Sequence, residues 1–367
     1  MPSLPQREGR LSIIRIALAL AVLFFTPAAM AQTAWPFVER DHVLRDFAFK
    51  TGERMDVRMH YRVAGTPRRD AKGRVTNAVM ILHGTGGAGS QFLAPHFADA
   101  LYAPGAPFDL AKTYVILPDN IGHGGSSKPS DGMRMAFPRY DYDDMVDAQR
   151  RLLGEALGVD RPRLIIGTSM GCMHAFVWGT RYPQAPRALM PLACMPVEIA
   201  GLNRMWRQLL IDGIKADPAW AGGDYSAQPQ AGLRNAASLL IVAGAAPLAL
   251  QRAYPTREAA EQAAAERVAN YMRGFDANDM IYQFDSSRTY NPWPLLERMT
   301  APTVWINSAD DFINPRNLPF PAQAIERLPD ARFKLVPETE ETFGHGTHTR
   351  PDFWIDDLRE LLARTEG

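Results

Sequence analysis

The stretch that most constrains the fold is an apolar run that stops at a serine flanked by glycines. Leu164-Ile165-Ile166 leads into Gly167-Thr168-Ser169-Met170-Gly171, and a helix-forming stretch, Met173–Trp178, follows directly. A Gly-x-Ser-x-Gly sequence on a sharp turn from a buried strand to a helix exposes the serine hydroxyl. A side chain at either glycine would crowd such a turn. The pattern therefore predicts Ser169 as a nucleophile, and the alternative is a Gly-Ser loop without chemistry.

The first 31 residues differ in character from the rest of the chain. A basic start that ends at Arg15 precedes an uninterrupted apolar run, Ile16–Phe25, and Ala29-Met30-Ala31 fits a small-x-small cleavage pattern. These features are typical of a secretory signal peptide. An uncleaved anchor is the alternative, although the run is short for a bilayer span. We expect cleavage before Gln32, no stable membrane span afterwards, and a periplasmic or secreted mature chain.

The composition limits the classes of partner. Forty Lys and Arg residues balance forty Asp and Glu residues, and 46% of the residues are hydrophobic. This balance gives no reason to expect a nucleic-acid partner. The glycines at 86–87 and 122–125 lack the spacing of phosphate- or dinucleotide-binding loops, so that we expect no cofactor.

Two cysteines, Cys172 and Cys194, are present, one just after the serine turn and one at the end of the next apolar run. An exported protein can pair two cysteines, and these two positions can lie near each other. We expect two buried free thiols, with a disulfide as the alternative. Neither cysteine has the spacing of a metal site, and no metal is expected.

Short apolar runs alternate with helical patterns on both sides of the serine. Runs that are apolar on both faces predict strands of a parallel sheet. Two antiparallel strands are predicted at 42–49 and 55–63. The apolar strands of the parallel sheet are predicted at 78–82, 114–117, 164–166, 188–192, 303–306 and 333–336, and helices at 142–157 and 353–363.

Residues 196–291 have a different pattern. Helical spacing dominates there, for example at 239–250 and 259–272, and there is no clear strand. We predict that residues 32–195 and 292–367 form one α/β core and that 196–291 is a helical lid that shapes the substrate pocket.

The acid that orients a catalytic histidine is expected after a late strand, because the chain order in such sheets is Ser, Asp or Glu, His. The run at 303–306 is followed by two adjacent carboxylates, Asp310 and Asp311. We expect Asp311 to be the acid because of its spacing from Ser308 and Pro315. Asp310 is the alternative, and the residue that is not the acid is expected to hold the loop by side-chain hydrogen bonds.

The general base is expected after the last strand. His345 stands between Gly344 and Gly346, which allow close approach of a loop, and histidine exchanges protons near neutral pH. His348 is the alternative. The oxyanion of the tetrahedral intermediate is expected to bind the backbone N–H groups of Met170 and Thr85.

Beyond the serine turn, several motifs resemble those of homoserine O-acetyltransferases. Ser169–Ala175 is similar to the Ser-Met-Gly-Gly-Met-Gln-Ala of that family, and Asp144–Gln149 matches the helix before it. In the helical segment, Asp217–Tyr225 and Phe275–Asn278 also match. The resemblance implies an α/β-hydrolase fold, with a mostly parallel central sheet flanked by helices and a helical lid insertion. It also makes a homodimer through the lid an expectation.

The sequence departs from this family at the elbow and in the helical segment. Cys172 replaces a glycine and His174 a glutamine, and Ala236-Ala237 stands where the acetyltransferases have an arginine suited to an amino-acid carboxylate, with Arg234 displaced. Acetyl-CoA is also a cytoplasmic metabolite. We therefore expect an exported serine hydrolase that cleaves a small-molecule acyl ester through an acyl-enzyme. The alternative is a homoserine O-acetyltransferase-like acyltransferase with the same triad, and a non-catalytic binding protein is disfavoured.

Overall fold

A sheet of eight strands, most of them parallel, runs through the part of the chain that the computed structural model describes, residues 35–365. The predicted signal peptide, 1–31, lies outside the described residues. The strands are β1 (Val38–Ala48), β2 (Arg54–Ala64), β3 (Ala78–Leu82), β4 (Tyr114–Pro118), β5 (Leu164–Thr168), β6 (Leu189–Leu192), β7 (Thr303–Ser308) and β8 (Ala331–Val336). Their order is β1-β2-β4-β3-β5-β6-β7-β8. β1 and β2 pair antiparallel, as do β2 and β4, and the others pair parallel.

Helices cover both faces of this sheet. They are α1 (Pro95–Tyr102), α2 (Tyr142–Leu157), α3 (Met170–Arg181), α4 (Gly201–Lys215), α5 (Gln230–Ala243), α6 (Pro247–Ala253), α7 (Arg257–Arg273), α8 (Ala277–Asp285), α9 (Phe320–Arg327) and α10 (Ile355–Ala363). Successive strand side chains point to opposite faces. Met80 and Leu82 accordingly pack with α2 and α3, while Val79 and Ile81 pack with α1 and α10. The predicted α/β-hydrolase fold class is therefore confirmed.

Helices are the regular elements of the segment between β6 and β7, residues 196–291, and no strand occurs in that range. Its helices share an apolar cluster that includes Trp206, Ile211 and Phe284. The helix predicted at 239–250 was wrong as one element: α5 ends before Gly244 and α6 begins at Pro247. Proline has no N–H to continue a helix, so that it begins the second helix instead.

Within residues 35–365 no single helix is long and apolar enough to cross a membrane by itself. The helices α5 and α6 meet that criterion only when taken together, and they are bent by 104° with respect to each other.

The two cysteines form a disulfide, and the expectation of free thiols was wrong. Cys172 lies in the first turn of α3 and Cys194 lies just beyond β6, with their Cα atoms 5.8 Å apart. The strands β5 and β6 pair side by side, with Thr168 opposite Leu192. This strand register brings the two cysteines together. The register cannot be read from the spacing of the cysteines in the sequence.

Candidate active site

The serine turn has the sterically restricted geometry that its sequence predicts. Ser169 joins β5 to α3 with a φ of 54°, which is uncommon for a residue with a side chain. A Cβ on Gly167 would lie 2.0 Å from the carbonyl oxygen of Gly171, and one on Gly171 would lie 2.2 Å from that of Leu82. Both glycines are therefore required by close backbone approach.

Ser169 is hydrogen-bonded to a histidine from the other end of the chain. The Ser169 Oγ lies 2.8 Å from Nε2 of His345, and Nδ1 of His345 lies 2.8 Å from Oδ2 of Asp311. Since the carboxylate can only accept, Nδ1 carries the hydrogen and Nε2 is left to accept from the serine hydroxyl. The structure thus brings together the three residues predicted as nucleophile, base and acid.

Asp311 is buried at the base of this arrangement, with 2% of its surface exposed. Its Oδ1 accepts from the backbone N–H of Ile313 at 2.8 Å, and its Oδ2 accepts from the Asn314 amide at 2.8 Å. Burial by itself raises the pKa of the Asp311 carboxyl, but the charge of His345 and hydrogen bonds from His345 and Asn314 outweigh burial. The pKa consequently lies below its ordinary value, which keeps the carboxylate ionised.

The two alternative residues have other contacts. Asp310 accepts from the backbone N–H of Gly344 at 2.8 Å and from the hydroxyl of Ser308. His348 bonds through Nδ1 to the carbonyl of His345, and its ring packs edge-on against the His345 ring with centroids 5.0 Å apart. Asp310 therefore holds the loop that carries His345, while His348 packs against the His345 ring.

The predicted oxyanion residues, Met170 and Thr85, both lie near Ser169. Met170 is the first residue of α3, where backbone N–H groups have no partner within the helix. Thr85 follows Gly84, and a Cβ on Gly84 would lie 3.3 Å from the Cβ of Ser169. Thr85, Ser169 and His345 line one cavity of about 500 Å³.

A buried polar network behind the serine turn was not predicted. Asn120 bonds to His83 at 3.0 Å, Gln149 to Asn120 at 2.5 Å, and His174 to Gln149 at 3.0 Å. The Trp178 indole donates to Gln149 at 2.7 Å. The sequence signal was a polar residue, Gln149, on the apolar face of α2, and burial of amides is tolerated only with partners of this kind.

A second cavity, of about 330 Å³, is also lined by Ser169 and His345. Its walls are mainly apolar and are formed by residues of α4 and of the loops that follow β6 and β7. Arg207 of α4 also lines this cavity, whereas Arg234, the arginine singled out in the sequence, is exposed on α5. No group of three or more His, Cys, Asp or Glu residues within 35–365 is arranged to hold a metal ion.

The sheet order, the strand-serine-helix turn and the helical insertion after β6 define an α/β-hydrolase. The profile of the alpha/beta hydrolase fold family matches residues 77–347. The chain belongs to this family.

Within the family, the chain is similar to acyltransferases. It is 32% identical over 203 residues to a probable acyltransferase of Methanothermobacter thermautotrophicus, covering 55% of this chain and 61% of the relative. It is 32% identical over 199 residues to a homoserine O-acetyltransferase of Chlorobaculum parvum, covering 50% of this chain and 52% of the relative. The chain thus spans between half and two thirds of the length of these relatives.

Solved structures with the same fold include enzymes of both expected kinds. A homoserine O-acetyltransferase from Bacillus anthracis has a TM-score of 0.78 at 20% identity, with 89% of this chain and 97% of that chain covered. An acetylester hydrolase from Corynebacterium glutamicum has a TM-score of 0.76 at 20% identity, with 89% and 96% covered. At this identity the likeness concerns the fold, and the reaction has to be inferred from the site.

Proposed function

We propose that this protein is an exported serine hydrolase that cleaves an ester-type acyl bond through an acyl-enzyme. The observation that carries the proposal is the continuous hydrogen-bonded series from Ser169 through His345 to Asp311. Its serine lines two cavities. A serine hydroxyl needs a base within hydrogen-bond reach, and that base needs an orienting group. Both requirements are met at 2.8 Å.

In the proposed reaction, Oγ of Ser169 attacks the ester carbonyl while Nε2 of His345 accepts the hydroxyl proton. Asp311 holds the imidazole by its Nδ1–H and stabilises the imidazolium that forms. His345 then gives the proton to the leaving alcohol, and an acyl-Ser169 ester remains. Water attacks this ester with His345 again as base, which releases the acid and restores the serine.

Charge that develops on the carbonyl oxygen needs donors fixed in advance. We propose the backbone N–H groups of Met170 and Thr85 for this role, because these residues lie near Ser169, at the start of α3 and in the loop after β3. Fixed donors of this kind reduce the barrier because they need no reorganisation during the reaction, and losing one typically lowers the rate by about 10²–10³-fold.

Hydrolysis of short p-nitrophenyl esters by the chain from Gln32 onward tests the proposal. We expect release of nitrophenol by the wild-type protein and loss of at least about 10³-fold in kcat for Ser169→Ala, since the nucleophile is removed. Circular dichroism provides the control that the variant is folded. Full activity of Ser169→Ala would show that another residue is the nucleophile.

A second candidate function is acyl transfer, which the similarity to two acyltransferases favours. The same triad would form the acyl-enzyme, and an alcohol acceptor would replace water. The two reactions separate when acetyl-CoA and homoserine are added to the assay. Turnover that requires both compounds would replace the hydrolase proposal by the transferase one.

Export is proposed from the basic, apolar and small-residue pattern of residues 1–31. Fractionation of expressing cells, with N-terminal sequencing of the mature protein, tests it; we expect a chain that begins at Gln32 outside the cytoplasm. A homodimer through the helical insertion and a role of that insertion as a lid stay predictions.

A further inference from the structure

Asn314 lies three residues after Asp311, and its side-chain amide joins two parts of the site. It is 3% exposed. Its NH2 group donates to Oδ2 of Asp311 at 2.8 Å and to the carbonyl oxygen of Ala193 at 3.1 Å. Because a carboxylate and a carbonyl can only accept, the orientation of the amide is fixed. Both hydrogens of this buried amide are therefore committed to partners within the site.

One oxygen of the acid is held by side chains alone. Oδ1 of Asp311 accepts from the backbone N–H groups of Ile313 at 2.8 Å and of Asn314 at 3.3 Å. Oδ2 accepts from Nδ1 of His345 and from the Asn314 amide, each at 2.8 Å. In the described part of the chain, Asn314 is thus the donor that fixes Oδ2 independently of His345.

At its other end, the amide holds a strained segment next to the nucleophile. Ala193 has a φ of 67°, and a residue with a side chain keeps such a conformation only where its surroundings impose it. The preceding carbonyl, that of Leu192, accepts from the backbone N–H of Ser169 at 2.8 Å. Asn314 therefore connects the acid to the strand end that contacts the serine, by a route that does not pass through the histidine.

We propose that Asn314 is a positioning residue for the reaction: its amide holds Oδ2 of Asp311 against Nδ1 of His345 and fixes the acid loop relative to Ser169. This inference rests on the proposed function. Catalytic groups are efficient only when they are held in the productive geometry. An amide does not ionise near neutral pH, and Asn314 contributes through Asp311 and not by contact with the reacting atoms.

Asn314→Leu removes both donors and keeps a side chain of similar size. We expect kcat for p-nitrophenyl acetate to fall by about 10- to 100-fold with little change in KM, since alignment of the histidine contributes to the chemical steps. The acid limb of the pH profile of kcat/KM, where activity rises with pH, should move by about one unit to higher pH. The reason is that a carboxylate that has lost a hydrogen-bond donor attracts the protonated imidazole more strongly.

The other ionisable groups around His345 stay the same in this variant. Within residues 35–365, those that contact His345 or Gly344, or line a cavity with His345, are Asp310, Asp311, His348, His96, Glu198 and Arg207. A displaced acid limb is consequently assigned to the altered contact between residue 314 and Asp311.

Asn307→Leu is the matched control, because Asn307 is a buried asparagine that also bonds to the segment after β6. It is 2% exposed; its Oδ1 accepts from the N–H of Cys194 and its Nδ2 donates to the carbonyl of Cys194, each at 3.1 Å. Its hydrogen bonds in the described structure do not reach Asp311 or His345. We expect this variant to be less stable but to keep the wild-type kcat and acid limb. If Asn314 served only the stability of the fold, neither variant would have a displaced acid limb.

Circular dichroism and urea unfolding show whether the variants are folded. If Asn314→Leu does not fold, Asn314→Ser takes its place. A serine hydroxyl has one hydrogen to donate and holds at most one of the two oxygens, so that kcat and the acid limb should change in the same directions. A folded variant with the wild-type kcat and acid limb overturns the role of Asn314 and leaves the hydrolase function intact.

Reaction of Ser169 with diethyl p-nitrophenyl phosphate separates this inference from the proposed function. Attack of the serine hydroxyl on phosphorus releases p-nitrophenol and leaves a diethylphosphoryl-serine, so that the rate depends on the triad without ester turnover. We expect Asn314→Leu to react about 10- to 100-fold more slowly, with the same displaced acid limb, and Asn307→Leu to react at the wild-type rate. If the wild-type protein is phosphorylated but hydrolyses no ester, the hydrolase function is overturned, and the phosphorylation profile decides on Asn314. If Ser169 is not phosphorylated and no ester is hydrolysed, both are overturned.

Discussion

Two neighbouring carboxylates at the end of β7 have different contacts, although they are chemically the same. Asp311 is hydrogen-bonded to the imidazole of His345. Asp310 instead accepts from the backbone N–H of Gly344, the residue that precedes His345. The first contact sets the tautomer of the histidine, and the second sets the position of its loop. The sequence preference for Asp311 is in agreement with this geometry, but its catalytic role is a proposal.

Substitution of each carboxylate by its amide separates these two contributions. We expect Asp311→Asn to lower kcat by about 10⁴-fold, because an amide can favour the wrong tautomer of His345. Asp310→Asn keeps an acceptor for the Gly344 N–H and is expected to lower kcat by less than about tenfold. Steady-state kinetics on one ester measures both. A larger loss for Asp310→Asn would assign the acid to that residue.

At the scale of elements, the site is assembled from three loops that the sheet brings side by side. The disulfide joins α3 to the segment that follows β6. The side-chain amide of Asn314 donates to the carbonyl of Ala193 in that segment and also to the carboxylate of Asp311. The serine, the disulfide and the acid are thus connected through short contacts. Cys194 also lines the cavity with Ser169, so that the disulfide supports one of its walls.

The disulfide is expected to stabilise the fold measurably. Its cysteines are 22 residues apart, and closing a loop of this length stabilises a folded chain by about 3 kcal/mol. The double variant Cys172→Ala/Cys194→Ala should lower the free energy of unfolding in urea by this amount. Wild-type protein unfolded in the presence of reductant should show a similar decrease, and the double variant should not respond to reductant. Equal stability of wild type and variant would contradict the presence of the bond in solution.

At the scale of the whole molecule, the buried histidines make stability depend on pH. His83, His123 and His174 are at most 1% exposed. Burial lowers the pKa of each of these imidazoles, that of His123 to about 3. In the folded protein they take up protons only at a lower pH than in the unfolded chain, where a histidine has its ordinary pKa of about 6.5. Their contribution to stability is present above pH 6.5 and is lost as the pH falls.

We expect the free energy of unfolding to decrease by about 1–2 kcal/mol between pH 7 and pH 6. Burial raises the pKa of Asp144 and of Asp279 to about 6. Protonation of these two carboxyls stabilises the folded protein as the pH falls, which opposes the effect of the histidines, but it does so mainly below pH 6. Urea unfolding at a series of pH values measures the change. Burial also lowers the pKa of His348 to about 3, so that four histidines contribute. His174→Gln, which removes one of these titrating groups but keeps a polar partner for Gln149, should reduce the slope by about a quarter. A stability that is constant or rises from pH 7 to pH 6 would contradict the prediction.

Local patterns were sufficient for the elements that neighbouring residues specify. The helix predicted at 142–157 has those bounds in the structure, because Asp141 caps its first turn and Gly158 ends it in a left-handed conformation with a φ of 62°. The strands β3 and β4 were recognisable because they are apolar on both faces. The prediction of a continuous helix at 239–250 followed the helical spacing of the apolar residues and did not allow for the break at Pro247.

The sequence by itself determined the class of fold, the strained serine turn and the residues that follow the last two strands, since each depends on residues adjacent in the chain. Only the tertiary structure decided that Ser169 meets His345 across 176 positions, that Cys172 pairs with Cys194, and that Arg207 reaches the cavity. These contacts depend on strand order and register and on how the helical insertion packs. Spacing along one chain does not encode such distances, because they result from the burial of apolar faces by the molecule as a whole.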